Sequence, residues 1–357
     1  MRKKTKIVYV GGVPIGGGQP VVVQSMCNTK TTDVSATVLQ VTRLAAAGCE
    51  LVRLAVKDEA DAKALGEIKK RLSETVKRDQ GAEIREQKNT HHSSLINNNS
   101  VTRYAIPLIA DIHYDTKLAI AAIDAGADKV RLNPGNTKDF WQAIDYAKEK
   151  GIPVRIGFNS GSSNGFDFSI LEKIDYDQVI LAAKSSDVLE TIEGYRKLSG
   201  LTKLPLHVGV TEAGTLLSGS IKSAVGIGTL LAEGIGDTIR VSLAGDPVKE
   251  VEVAYKILGA LGLRKRGVEV IACPTCGRTE IDVEKLALEV EDATKHIVQP
   301  LKIAVMGCAV NGPGEAKHAD FGVAGGKGEG LLFARGEIVK KVAEDKIVEE
   351  LLKILEK

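Results

Sequence analysis

The chain has 357 residues, a length that indicates about two domains, or one large barrel with a smaller module. Its 48 basic and 46 acidic residues leave a net charge of +2, so the charge balance does not indicate nucleic-acid binding. The sequence has no apolar run of membrane-spanning length and no secretory signal pattern, and we expect a cytoplasmic protein without a membrane or nucleic-acid partner.

The first two thirds of the chain alternate between short apolar runs and longer amphipathic segments. The runs that predict buried strands are PVVVQSM, ELVRLAV, IPLIADIH, DKVRLNP, IPVRIGFNS, QVILAAKSS, PLHVGVTE and DTIRVSL. Helical patterns follow nearly all of them, and two of these begin at Asp33 and Asp246, which suit helix N-termini. This alternation predicts a (β/α)8 TIM-type barrel, and the opening IVYVGGVPIGG predicts a small hairpin at its bottom.

The alternation stops at a basic, glycine-containing stretch, residues 263–267, which we take as a domain boundary and a possible hinge. Residues 1–262 then form the barrel. Residues 263–357 read as a smaller α/β domain with a strand, a helix, a second strand, a glycine-rich hairpin region and a last helix.

Two stretches fit a barrel badly. Residues 79–103 are polar and rich in Asn and Ser, which predicts a flexible or disordered loop between the second helix and the third barrel strand. Residues 161–178 are too few to hold a full helix between the fifth and sixth strands.

Chemistry in such barrels sits at the C-terminal ends of the strands. The polar residues at those ends are Arg53, Asp111, His113, Arg131, Asn133, Arg155, Asn159, Lys184, His207, Glu212, Arg240 and Ser242. Five of them are cations from five different strands. Each one alone could be a surface charge or half of an ion pair, but together they indicate a mouth that binds phosphate or diphosphate. The turns at 133–136 and 159–162 add backbone N–H groups that also suit an anion.

Glu212 would be a carboxylate among these cations. It either pairs with an arginine or handles protons, since cleavage of a C–O bond with loss of water needs a proton donor.

The cysteines of the last domain form a second group. Cys273 and Cys276 follow one apolar strand at C-x-x-C spacing, and Cys308 follows another, so neighbouring strands would bring three sulfurs together. A zinc site with His318 as fourth ligand, a redox pair and inert buried thiols are all compatible with this spacing. An iron–sulfur cluster also accepts three cysteines and leaves one iron for another ligand. Cys49 reads as a small buried hydrophobe and Cys27 is unassigned.

Several motifs together carry a family resemblance. IACPTCGRTE and VMGCAVNGPGEA, with VVVQSM, PLIADIHYD, VRLNPGN, VRIGFNSGS, KSSDV, HVGVTEAG and GIGDTIRVSL, occur in order over most of the chain. In these motifs the sequence resembles the 4-hydroxy-3-methylbut-2-enyl diphosphate synthases, iron–sulfur oxidoreductases of the non-mevalonate isoprenoid pathway. The family usually lacks residues 79–103, has a longer segment where this chain has 161–178, and has threonine at Cys27.

The resemblance implies a reaction and its cofactor. The family opens 2-C-methyl-D-erythritol 2,4-cyclodiphosphate reductively and dehydrates it to the open-chain diphosphate, with two electrons from flavodoxin or ferredoxin. It implies a [4Fe–4S] cluster held by Cys273, Cys276, Cys308 and Glu315. It also implies a head-to-tail homodimer in which the cluster domain of one chain covers the barrel of the other.

The resemblance also implies residue roles. Glu212 matches a catalytic carboxylate. The residues that match diphosphate ligands are Arg53, Arg131, Arg155, Lys184 and Ser242, and those expected nearby are His113, Asn133, Asn159 and Arg240.

Two competing interpretations come from other classes. Related barrels bind pterins without redox chemistry, and a zinc-stabilised tail could serve dimerisation alone. The five cations favour a multiply anionic ligand over a pterin, and the absence of a fourth cysteine at the site favours an open iron. A scaffold protein would leave the polar residues at the strand ends unexplained.

Overall fold

The computed structural model describes residues 2–86, 106–159, 166–308 and 319–355; for residues 76–86 and for Asn159 it describes the backbone alone. The chain divides into two compact units between Arg264 and Lys265. Each unit has its own hydrophobic core. Among the described residues, no helix is both long enough and apolar enough to cross a membrane.

An antiparallel hairpin of β1 (Ile7–Val10) and β2 (Val13–Gly16) closes the lower end of the first unit. Its side chains Val8, Val10 and Ile15 are fully buried. They form one cluster with four aliphatic side chains of the barrel, which are Val22, Leu51, Ile109 and Ile180. The predicted hairpin at the bottom of the barrel is confirmed.

The first unit is built on a barrel of eight parallel strands within the described part of the chain. They are β3 (Val22–Met26), β4 (Leu51–Val56), β5 (Leu108–Ile112), β6 (Lys129–Leu132), β7 (Val154–Asn159), β8 (Val179–Lys184), β9 (His207–Val208) and β10 (Thr238–Ile239). Hydrogen-bonded neighbours follow the order β8-β7-β6-β5-β4-β3-β10-β9. A parallel bridge between Leu181 and Leu206 joins β8 to the chain just before β9. The predicted barrel is confirmed.

Helices follow seven of the eight strands where the chain is described. They are α1 (Val34–Ala46), α2 (Glu59–Glu86), α3 (Thr116–Asp124), α4 (Phe140–Lys150), α5 (Val188–Leu201), α6 (Leu216–Ala232) and α7 (Pro247–Ala260). Asp33 and Asp246 cap α1 and α7, because their carboxylates accept the N–H groups of Ala36 and Val248. Both predicted helix starts are confirmed.

The two stretches that fit the barrel badly have different outcomes. The loop predicted to begin at residue 79 is wrong for its first part, because α2 continues to Glu86. The added residues include Ala, Glu and Arg, which favour helix; residues 87–103 lie outside the described residues. Between β7 and β8 the described residues 166–178 contain one 3₁₀ turn, Ser169–Lys173, which agrees with the prediction that this segment is too short for a full helix.

The side chains inside the barrel change character from bottom to top. Above the aliphatic cluster lie Gln24, Lys129 and His207, each at most 1% exposed. Towards the C-terminal ends of the strands, Asp111, Arg131 and Arg155 are in register across β5, β6 and β7. Inward-facing residues alternate along each strand, so Lys129 and Arg131 share the inner face of β6.

The second unit is a five-stranded sheet with two helices in its described part. It comprises β11 (Val268–Ala272), α8 (Val283–Ala293), β12 (Leu301–Met306), β13 (Phe321–Gly326), β14 (Glu329–Ala334), β15 (Glu337–Ala343) and α9 (Ile347–Leu355). The first three strands are parallel, and β14 and β15 extend the sheet in antiparallel fashion. Val290 of α8 and Leu351 of α9 belong to one buried cluster with strand residues of the sheet. The predicted α/β organisation is confirmed.

Candidate functional site

Asp111 is the centre of an ionic group at the C-terminal ends of β4, β5 and β6. Its Oδ2 lies 3.6 Å from Arg53 Nε and 3.5 Å from His113 Nε2, and its Oδ1 lies 3.4 Å from Arg131 Nη1. Burial raises the pKa of Asp111, but Arg53, His113 and Arg131 outweigh burial and hold that pKa well below its usual range. Asp111 is therefore a carboxylate that fixes the guanidinium groups beside it.

Arg53 also contacts a soft acceptor. Its Nε and Nη2 lie 3.0 Å and 2.9 Å from the sulfur of Met26 at the end of β3. Burial, together with Arg240 and Arg131, lowers the pKa of Arg53 to about 10 although Asp111 opposes the shift. The guanidinium stays charged at neutral pH and is held against the inner wall of the barrel.

Arg155 is a buried cation with unused hydrogen-bonding capacity. Its side chain lies on β7, the residue is 3% exposed, and its Nε and Nη1 have no hydrogen-bond partner among the described residues. Burial lowers its pKa most, and the neighbouring Arg53 and Arg131 lower it further. Arg131 Nε, on the adjacent strand, is also without a described partner. An oxyanion between these arginines would satisfy both.

Lys184 completes this group from the end of β8. Burial, then Arg155 and Arg240, lower the pKa of Lys184 well below its usual range. The amine fits against the backbone of Gly209, where an added methyl group would lie 2.6 Å from Lys184 Nζ. A side chain at position 209 would therefore collide with the amine, and glycine avoids this collision.

Arg240, the fifth predicted cation, already has a carboxylate partner. Its Nη2 and Nε donate to the two oxygens of Glu250 on α7 at 3.0 Å and 3.2 Å. Glu250 is 2% exposed and also accepts from Ser25 Oγ at 2.7 Å. Arg240 is thus half of an ion pair, the alternative that the sequence left open for each of these cations, because a buried helix residue neutralises it.

The turn after β6 satisfies its own backbone. Asn133 Oδ1 accepts the N–H of Gly135 at 3.0 Å, and the Asn133 carbonyl accepts from Asn136 and Thr137. The expected use of these N–H groups for an anion does not hold, because they are already engaged within the turn. The side chain of Asn159 and residues 160–162 lie outside the described residues, and Ser242 is half-buried beyond β10.

Glu212 lies beyond β9 in an unusual backbone conformation. Its φ is +51°, in the left-handed region that non-glycine residues rarely adopt, and its side chain is exposed. Glu212 forms no ion pair with any described cation, so the interpretation as half of an arginine pair is not supported. Strained backbone of this kind clusters at functional sites.

Two of the predicted cluster ligands follow adjacent parallel strands of the second unit. Cys273 comes directly after β11 and Cys308 two residues after β12, and the Gly307 N–H donates to Cys273 Sγ at 3.2 Å. Hydrogen bonds to sulfur are characteristic of thiolate ligands in iron–sulfur sites. This end of the sheet therefore suits a cysteine-ligated cofactor.

Cys276 is the exposed member of the C-x-x-C pair. Hydrogen bonds from the backbone and side chain of Arg278 lower the pKa of its thiol. A lowered pKa favours the thiolate, which is the metal-binding form. The predicted ligand Glu315 and the alternative zinc ligand His318 lie outside the described residues. Within the described ranges, no three side chains of His, Cys, Asp or Glu are grouped closely enough to hold a metal ion.

The two cysteines of the barrel are buried free thiols. Burial raises the pKa of Cys27 to about 12 and raises that of Cys49 further. The interpretation of Cys49 as a small buried hydrophobe agrees with its 1% exposure.

Comparison with known families places the chain. Residues 5–166 and 163–255 match the GcpE TIM-barrel domain, and residues 269–357 match the GcpE protein C-terminal domain. The chain belongs to the GcpE family. The family resemblance predicted from the sequence motifs is confirmed.

Curated relatives of this GcpE-family chain span almost all of its length. Proteins named 4-hydroxy-3-methylbut-2-en-1-yl diphosphate synthase (flavodoxin) include one from Caldanaerobacter subterraneus subsp. tengcongensis that is 49% identical and covers 100% of this chain and 98% of its own. The Geobacillus kaustophilus protein is 47% identical, covering 100% and 92%. The Thermodesulfovibrio yellowstonii protein is 45% identical, covering 100% and 99%.

Solved structures show more distant likeness. An N-acetylneuraminic acid synthetase from Leptospira borgpetersenii serovar Hardjo-bovis has a TM-score of 0.48 and 14% identity, and covers 82% of this chain and 98% of its own. A dihydropteroate synthase from Yersinia pestis has a TM-score of 0.44 and 14% identity, with coverage of 72% and 98%.

Sequence reasoning missed three polar side chains of the GcpE-family barrel. Lys129 and Gln24 lie inside it below the arginines, and Glu250 pairs with Arg240 from α7. A signal existed for Lys129, which precedes Arg131 by two residues and must therefore face the same side of β6. Glu250 offered no such signal, because its partner is set by how α7 packs on the barrel.

Proposed function

We propose that the chain catalyses the reductive ring opening and dehydration of 2-C-methyl-D-erythritol 2,4-cyclodiphosphate to 4-hydroxy-3-methylbut-2-enyl diphosphate. The named relatives, at 45–49% identity over the whole chain, support this reaction. One observation of the structure supports it most directly: buried arginines at the barrel mouth carry N–H groups without described partners. A diphosphate supplies the oxygens and the negative charge that such a group needs.

We assign substrate binding to residues 1–262 and the redox cofactor to residues 263–357. The ligands of the diphosphate in this proposal are Arg53, Arg131, Arg155, Lys184 and Ser242, with His113, Asn133, Asn159 and Arg240 nearby. Asp111 pairs with both Arg53 and Arg131 and holds their guanidinium groups in place. Arginine binds two oxygens at once, so the fixed guanidinium groups also set the orientation of the ring.

The cofactor in this proposal is a [4Fe–4S] cluster held by Cys273, Cys276, Cys308 and Glu315. Once bound, it would supply two electrons, one at a time, and a Lewis-acidic iron. The N–H donated to Cys273 Sγ and the lowered pKa of the Cys276 thiol both suit thiolate ligation. The electrons come from flavodoxin or ferredoxin, and the "(flavodoxin)" in the names of the relatives supports the former.

Glu212 is the proposed proton donor. Departure of a hydroxyl group as water requires a proton at the leaving oxygen, and a carboxyl group is one of the side chains that can donate it. The exposed position of Glu212 beyond β9 would let it exchange protons with solvent between turnovers. The left-handed backbone conformation of Glu212 sets the direction in which its side chain leaves the main chain.

We also propose a head-to-tail homodimer in the cytoplasm. In it, the cluster domain of one chain would cover the barrel mouth of the other and complete the site. The family resemblance of the motifs supports this arrangement.

The test is anaerobic purification of the full-length protein, followed by analysis of iron, sulfide and turnover with reduced flavodoxin. We expect about four irons and four sulfides per chain, and formation of the open-chain diphosphate. The Glu212→Gln variant should keep its iron and lose turnover by roughly 10²–10⁴-fold, the usual contribution of a positioned proton donor. Stoichiometric zinc without iron would overturn the redox assignment, and full activity in Glu212→Gln would overturn the role of that residue.

A further inference from the structure

Lys129 is a fully buried lysine, in an environment that disfavours a charged amine. It lies on β6 inside the barrel with 0% exposure. Its Nζ is 3.5 Å from Gln24 Oε1, a contact at the long limit of hydrogen bonding, and it forms no ion pair with a described carboxylate. Lysine is almost never fully buried unless it is paired. Such a side chain calls for a functional explanation.

The groups that face Lys129 further disfavour a positive charge on its amine. Arg53 on β4, Arg155 on β7 and His207 on β9 approach it from other strands, and Arg131 lies on its own strand. Lys184 on β8 is close to the same arginines, and Arg240 beyond β10 is neutralised by Glu250. The carboxylate of Asp111, on the neighbouring strand β5, is already shared by Arg53, His113 and Arg131.

Without an anion, a proton on Lys129 is therefore uncompensated. Burial lowers the pKa of Lys129 well below its usual range, and Arg155 and Arg53 lower it further. His207 is in the same position, since burial and then Lys184, Arg155 and Lys129 lower its pKa. In the free barrel, burial and the neighbouring cations therefore disfavour the charged forms of both groups.

The unsatisfied polar atoms around Lys129 indicate which ligand would stabilise a charged amine at this position. Gln24 Nε2, His207 Nε2 and the two nitrogens of Arg155 are buried without a described partner. An anion with several oxygens at the mouth would satisfy the arginine donors. It would also place negative charge above Lys129 in a medium where charges interact strongly.

We propose that Lys129 forms the floor of the diphosphate site, and that its amine takes up a proton from solvent when the anion binds at the mouth. This inference rests on the proposed diphosphate site and adds a positioning residue to it. The step is the conversion of a neutral amine to an ammonium group, and the proton comes from the buffer. The barrel then gains a positive charge only while the anion is present.

The pH dependence follows from the direction of the shift. The anion raises the pKa of Lys129 from its lowered value in the free protein towards its ordinary value. Between those two pKa values binding takes up a proton, so affinity strengthens as the pH falls through that window. Above the higher pKa there is no uptake at this amine.

The experiment measures proton uptake with inorganic diphosphate as the probe. The anaerobically purified full-length holoenzyme is titrated calorimetrically at one pH in two buffers of different ionisation enthalpy. Protonation of the free probe at that pH is the same for every variant and cancels in differences. Relative to wild type, Lys129→Met should take up fewer protons, by up to about one, and bind on the order of tenfold more weakly. Lys63→Met, which removes an exposed lysine of α2, should match wild type.

Three results would overturn the proposal in different ways. Equal uptake in Lys129→Met and wild type would refute it, and loss of uptake in His207→Gln alone would assign the proton to His207 instead. If wild type fails to bind diphosphate, the proposed diphosphate site fails, and the inference fails with it. Should Lys129→Met not fold, the carbon-13 shift of the Lys129 ε-carbon in wild type decides, since it must move on addition of diphosphate as protonation requires.

Discussion

The lower and upper ends of the barrel interior are built from opposite kinds of side chain. At the lower end, Val8, Val10 and Ile15 of the hairpin pack on aliphatic side chains and leave no exposed surface. At the upper end, Arg155 and Arg131 are almost as well buried but have nitrogen atoms without a described partner. Burial stabilises the first group and destabilises the second. The comparison indicates that this barrel separates stability from binding along its axis.

The largest expected effect on activity is at the upper end. Arg155→Ala should lower kcat/KM by about 10²–10³-fold, because it removes charge-assisted contacts to the diphosphate. The melting temperature should not fall, since the guanidinium is buried and incompletely bonded. Anaerobic steady-state kinetics and calorimetry measure the two quantities.

A matched arginine gives the control for this variant. Arg196→Ala on α5 removes an exposed arginine that pairs with Glu233, and should change neither quantity appreciably. A drop in melting temperature for Arg155→Ala with kcat/KM unchanged would break the proposed separation of binding from stability.

The next effect concerns Arg240, the upper cation that Glu250 neutralises. Glu250→Gln should lower the free energy of unfolding of the barrel by about 3–5 kcal/mol, because it leaves Arg240 charged, half-buried and without its carboxylate partner. Glu252→Gln on the same helix removes an exposed partner of Lys249 and should cost less than about 1 kcal/mol. Denaturant unfolding measures the free energy of unfolding of both variants. Equal losses in the two variants would show that the Glu250–Arg240 pair does not stabilise the barrel.

The smallest of the three effects is at the lower end. Ile15→Ala should lower the free energy of unfolding by about 2–4 kcal/mol through the cavity it leaves. At temperatures where the variant stays folded, kcat/KM should be unchanged. A tenfold loss of kcat/KM in folded Ile15→Ala would mean that the two ends are coupled.

The barrel and its strand-end cations were predictable because both rest on strong periodic signals. Alternation along a strand aims every second residue inward, so Arg53, Arg131 and Arg155 could be assigned to one mouth from the sequence. The same rule would have found Lys129, but attention to strand ends alone passed over it. The alternation along the whole of each strand also indicates the buried polar residues below the arginines, which are Gln24, Lys129 and His207.

Other features depended on tertiary contacts that no local pattern encodes. Glu250 reaches Arg240 only because α7 packs beside the end of β10. The turn at 133–136 was predicted as a turn, but its N–H groups are consumed by Asn133 itself, which depends on the side-chain rotamer. The continuation of α2 to Glu86 reflects helix propensity that the polar composition of the segment concealed.

The hairpin at the lower end has a consequence for the order of events during turnover. Because Val8, Val10 and Ile15 fill that end, molecules reach the buried cations through the upper opening. In the proposed reaction, substrate and product both carry a diphosphate, so the departing product occupies the position that the next substrate needs. We therefore expect the product to act as a competitive inhibitor, and its release to slow turnover when product accumulates.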